Sequence, residues 1–152
     1  MQGLDLGVWS DHGGVALLER HMSDLLNAVR RVSENAHAPY SYFKVVAATW
    51  VEDETVFVDC SAHNLTCPEG TRADASAIEA MVAAGQTKVA EVAVIADEPV
   101  LVMPSGGCRQ YQAGFLGAYA KATTATLAGR SQQVSVTDLS PRAFDTKQFL
   151  EM

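Results

Sequence analysis

Two polar, Gly- and Pro-marked loops that each run straight into a helix dominate what this chain can become. The first leads from His63 through HNLTCPEGTR into a helix that starts near Ala73; the second, PSGGCRQ from Pro104, leads into a helix that starts near Gly107. Helix N-termini carry free N–H groups and partial positive charge. Two of them converging make a pocket suited to a metal-bound hydroxide, an anion or a polar heterocycle. Between the two junctions, Val89 to Ala96 is an apolar run of buried-strand type.

The flanking segments supply the rest of a layered domain. From Val15 to about Ala36, Leu18, Met22, Leu25, Val29, Val32 and Ala36 recur at three- and four-residue steps, which makes one face of an amphipathic helix. Pro39 breaks that helix. Lys44 to Val51 and Thr55 to Ser61 read as strands joined by the acidic turn Glu52-Asp53-Glu54, a linker too short for anything but an antiparallel hairpin. Helices are expected over Ala73 to Gly85 and Gly107 to Lys121, with Tyr111, Phe115, Leu116 and Tyr119 packing from the latter. Val100 to Met103 is short and apolar and leads into the second loop; Thr123 to Leu127 and Val134 to Val136 are candidate strands, and Leu139 to Leu150 a terminal turn and short helix. A hairpin followed by strands separated by helices implies a mixed sheet covered on both faces. Residues 1–13 form an extra arm on one domain spanning 1–152.

Composition excludes several functions. The chain has 152 residues, 48% of them apolar, enough for one real core. Its formal charge is −7 and no basic stripe is visible, which argues against nucleic acid or an anionic membrane as a partner. Three cysteines, Cys60, Cys67 and Cys108, do not make a disulfide framework. The opening residues lack a basic start and an apolar core, and no run is long enough to span a bilayer, so a cytoplasmic setting is expected.

The order and spacing of the two junctions resemble the cytidine deaminase family, which places [C/H]-A-E at one helix start and P-C-x-x-C at the next. The family run N-V-E-N-A-S-x-x-L-T-x-C-A-E-R-x-A-I falls without gaps on Ser61 to Ile78, and P-Y-S-x-F-x-V-x-A-A falls on Pro39 to Ala48, with Val46 where the family usually has glycine. The LSPRAF stretch near the end is similar to the family's Leu-Pro-x-x-Phe. The resemblance covers roughly residues 20–150. It implies an α-β-α sandwich with a five-stranded mixed sheet, a homo-oligomer (commonly a tetramer, alternatively a dimer) and a zinc-activated water served by a glutamate that is not a ligand.

Residue by residue, the chemistry is altered. The first zinc-ligand position is Arg72, the glutamate position is Asp74, and the paired cysteines fall on Ser105 and Cys108. Phe43 matches the residue that packs on the pyrimidine; Ser61 and His63 replace the two that bond the sugar hydroxyls, and Asn64 is retained. A guanidinium is never deprotonated in a protein and a serine hydroxyl is a poor ligand beside a thiolate, so no zinc is expected. Arg72 has two readings: an anchor for a polar or anionic small molecule, or a plug paired with Asp74. Asp74 and Cys108 are the candidate catalytic groups, with a first-turn helix partner as the plain alternative for Asp74. Cys67 and His63 form a second, weaker nucleophile pairing. The expectation is a zinc-free binder of a small polar or anionic ligand without cytidine deamination. Altered hydrolytic chemistry on a small heterocycle or amide, and zinc-dependent cytidine deamination, are the alternatives.

Overall fold

The computed structural model describes residues 22–144 and residue 150. The expected arm over 1–13, the beginning of the first helix and residues 145–149 lie outside the described residues. In chain order the elements are α1 (Met22–Asn35), β1 (Val45–Trp50), β2 (Val56–Cys60), a single 3-10 turn (Cys67–Glu69), α2 (Ala73–Ala83), β3 (Val89–Ala96), α3 (Gly106–Ala113), β4 (Leu116–Thr126), β5 (Ser131–Ser135) and α4 (Val136–Leu139).

The five strands form one sheet in the order β2-β1-β3-β4-β5. β1 pairs antiparallel with both β2 and β3, β3 with β4 is the parallel pair, and β5 returns antiparallel on β4. The period-two alternation of strands sends successive side chains to opposite faces. Val46, Ala48 and Trp50 of β1 and Ala93 and Ile95 of β3 pack on one face beneath Val29 of α1. On the other face Val92 and Ala122 meet Ile78 and Met81 of α2 and Val136 and Leu139 of α4. Small side chains, Ala47, Ala73 and Ala77, let the start of α2 lie close against β1. The result is the expected three-layer sandwich.

α2 starts where Arg72 leaves extended backbone (φ −88°, ψ 143°) and Asp74 sits in the first turn. It ends at Gly85, whose φ of +88° is one that glycine adopts without strain. The N–H of Gln86 bonds the Met81 carbonyl at 3.1 Å and that of Gly85 bonds Val82 at 2.9 Å, the paired closure of a Schellman cap.

One expectation is corrected. The third helix does not run to Lys121: it closes at Ala113 with Gly114 as its C-cap, and residues 116–121 belong to β4. Leu-Gly-Ala-Tyr-Ala-Lys is rich in residues that tolerate a helix, but propensity is a weak prior. Parallel pairing with β3 wins, Val89 opposite Leu116 and Glu91 opposite Lys121, with a register shift between them. The apolar stretch at 100–103 forms no strand, and its Val102 and Met103 line a cavity.

Candidate active site

The N-termini of α2 and α3 meet beside the beginning of β1 and the end of β3. There they border a cavity of about 620 Å³, within the range usual for small-molecule sites. Phe43, Ser61, His63, Asn64, Arg72, Asp74, Ser105 and Cys108, the eight residues singled out from the sequence, all line it. Much of the remaining wall is apolar, from Val45, Val94, Ala96, Val102 and Met103.

At the floor, Asp74 is 2% exposed and its two oxygens have different partners. The Gln112 amide donates to Oδ2 at 3.0 Å, and the Cys108 thiol donates to Oδ1 at 3.3 Å. Cys108 is in turn tied to Ser105, whose hydroxyl donates to the sulfur at 3.3 Å and accepts from the Cys108 N–H at 3.4 Å. Ser105 is therefore the N-cap of α3, a role for which serine is favoured. Burial pushes the Cys108 thiol above its ordinary value; the Asp74 carboxylate adds to the rise, while the Ser105 bond and the Arg72 charge oppose it. At neutral pH Cys108 is thus a thiol donor to Asp74, not a thiolate nucleophile.

Arg72 does not pair with Asp74. Its side chain is exposed and lies over Gly107, where a Cβ would meet Nη1 at 3.4 Å and Cζ at 3.6 Å. The reading of Arg72 as a plug closed on Asp74 is corrected: that carboxylate is already held by Gln112 and Cys108.

The sugar-side residues divide by role. Ser61 is buried and its hydroxyl accepts from the Val45 N–H at 3.3 Å, so it also secures the β1–β2 junction. Asn64 closes a local turn through Oδ1, which accepts from Thr66 N–H at 2.9 Å, leaving its amide N–H groups for a ligand. His63 is half-exposed on the cavity wall, and Cys67 is exposed on the 3-10 turn. No hydrogen bond joins His63 and Cys67, so they do not form the nucleophile pair considered from the sequence.

Gln112, which sequence reasoning passed over, is a direct partner of the candidate catalytic carboxylate. It is 1% exposed and lies one helical turn beyond Cys108, so the four-residue spacing was the available signal.

The zinc implied by the resemblance can be tested against the donors. Of the residues at the expected positions, Cys108 is a soft donor and Asp74 a carboxylate, but Arg72 is a permanent cation and Ser105 is engaged as a helix cap. Among the described residues no three of His, Cys, Asp and Glu come together as a metal-binding group. These side chains do not fit a three-ligand zinc centre.

No protein-family model matches the chain. Among characterised proteins it is 32% identical over 127 residues to a protein of Halalkalibacterium halodurans named cytidine deaminase, covering 84% of this chain and 95% of that one. A second protein of that name, from Sporosarcina psychrophila, is 32% identical over 120 residues, covering 79% of this chain and 88% of its own length. Among solved structures, a crystal structure of cytidine deaminase from Burkholderia pseudomallei superposes with a TM-score of 0.74 at 31% identity, covering 80% of this chain and 98% of that one. These findings correct the expectation of a ligand binder that does not deaminate: relatives matched over about four fifths of the chain carry the name of the reaction it was expected to lack.

Proposed function

This chain belongs to the cytidine deaminase family, and we propose that it hydrolytically deaminates a cytosine nucleoside or a closely related amino-pyrimidine. The observation that carries the reading is the carboxylate of Asp74, held at both oxygens at the base of a nucleoside-sized cavity. Phe43 and the apolar wall receive the ring, and His63 with the amide of Asn64 meets the polar sugar.

In this scheme water adds through oxygen to C4 of the ring while Asp74 takes its proton and delivers it to N3. The added oxygen faces Arg72 and the N–H groups at the start of α3, which stabilise the charge that develops on it as its hydroxyl proton leaves. Asp74 then takes the hydroxyl proton and passes it to the amine, the C4–N bond breaks, ammonia leaves and a C4 carbonyl remains. Protonation balances at every stage, with one water consumed per ammonia released.

The test is ammonia release from cytidine and 2′-deoxycytidine by the full-length protein. Metal content and the effect of a chelator are measured on the same preparation. One uridine from cytidine, or one 2′-deoxyuridine from 2′-deoxycytidine, per ammonia is the expected result. Absence of turnover by folded protein across a cytosine nucleoside and amino-pyrimidine panel overturns the reading.

A further inference from the structure

Among the described residues Asp74 is the only carboxylate on the cavity wall, and the same helix grips both of its oxygens. Cys108 and Gln112 lie four residues apart on α3, which puts them on one face. One reaches Oδ1 at 3.3 Å and the other Oδ2 at 3.0 Å. The glutamine is the more deeply placed of the two, at 1% exposed, and it does not line the cavity itself.

Its second polar atom shows what the residue is for. Oε1 of Gln112 is buried and has no hydrogen-bond partner. A buried unpartnered acceptor lowers stability, and an apolar side chain of the same length would avoid it. The amide cannot improve matters by turning over, because that would set Oε1 against the Asp74 carboxylate. What glutamine supplies here, and methionine would not, is the N–H on Oδ2.

We infer that Gln112 is a positioning residue for the deamination proposed above: its amide fixes the plane of the Asp74 carboxylate, so that Oδ1 is presented to the bound ring and water. The inference rests on that functional reading. Aspartate has one rotatable bond fewer than glutamate and little reach of its own, so its usefulness depends on being held at one angle. Carboxylate oxygens have two lone pairs each, and the clamp from α3 leaves one on Oδ1 for the reaction.

Gln112→Met tests it, with Asp74→Asn as the reference for loss of the proton carrier. Gln112→Met removes the stranded Oε1 but also leaves the buried Asp74 Oδ2 without its donor, so the two effects oppose each other and the expected result is a small fall in the unfolding midpoint. Its kcat for cytidine is lower by on the order of 10–100-fold, with KM little changed. A residue with a merely structural role would leave kcat unchanged whatever the midpoint does, and an unchanged kcat in folded Gln112→Met overturns the inference. If the unsubstituted protein turns over no substrate, the functional reading fails separately, and the clamp is then read from Cys108. Losing the amide makes the thiol the one remaining donor to Asp74 and strengthens its hold on its proton. The pH at which iodoacetamide alkylates Cys108, followed by peptide mass spectrometry, therefore moves up in Gln112→Met. No movement there would refute the clamp itself.

Discussion

Replacing Asp74 in two ways separates what it does for the fold from what it does for the reaction. Asp74→Ala removes the acceptor for the Gln112 amide and for the Cys108 thiol together. Gln112 is 1% exposed and already has an unpartnered Oε1, so its N–H group is stranded in a dry site. One stranded buried donor costs about 1–3 kcal/mol. Removing a buried carboxylate returns part of that as relieved desolvation. A net loss of about 2 kcal/mol corresponds to a fall in the unfolding midpoint of about 4–8 °C for a chain of this size. Asp74→Asn behaves differently. Its new NH₂ meets Gln112 after the glutamine amide turns over, so that Oε1 accepts in place of Nε2 donating. One bond is exchanged for another, and the stability change stays within about 1 kcal/mol. Both variants lack the proton carrier, and ammonia release from cytidine falls by about 10²–10⁴ in each. Thermal unfolding and a coupled ammonia assay on the same samples provide both readings. An Asn variant that is folded and deaminates as fast as the parent would refute the role given to this carboxylate.

Three further outcomes follow from the same geometry. Gly107→Ala places a Cβ at ordinary contact distance, 3.4 Å from Arg72 Nη1, and restricts the unfolded chain; it raises stability by about 0.4–1 kcal/mol in chemical denaturation. In alkylation with iodoacetamide at neutral pH, exposed Cys67 reacts first and Cys108 lags, because burial and then the Asp74 carboxylate raise the Cys108 thiol above its ordinary value. Removing the charge by Asp74→Asn moves the Cys108 midpoint down, yet not back to that of an exposed thiol, since burial remains; equal rates at the two cysteines near pH 7 would contradict this. Arg72→Cys with Ser105→Cys puts three thiols at the two helix starts, and plasma mass spectrometry should find more zinc per chain than in the unsubstituted protein.

Much of the scaffold was readable from residue pattern. The apolar steps of α1 fit a helical period, and the run Val89–Ala96 points to a buried strand through its short length and β-branched content. The hairpin followed from a linker too short to cross over. The end of α3 was not readable. Residues 116–121 suit a helix locally and become strand only because β3 offers a parallel edge. Likewise, the eight cavity residues were recognisable by type and spacing, whereas Gln112 looked like one more polar residue on a helix.

The chain alone thus determined which side chains reach the cavity and which chemical types they are: a fixed cation, a short carboxylate, one thiol and a helix-capping hydroxyl. It also put Arg72 and Ser105 at two of the three positions matched to the family's ligands, and a residue's ability to give up a proton or share a lone pair belongs to the residue itself. Only the tertiary structure decided who partners whom. Arg72 lies over Gly107 while Asp74 is held by Cys108 and Gln112, because the packing of α2 against α3 puts the carboxylate inside and leaves the guanidinium at the surface. Hydrogen bonding between residues 34 and 38 positions apart in the chain depends on distances that no local pattern encodes.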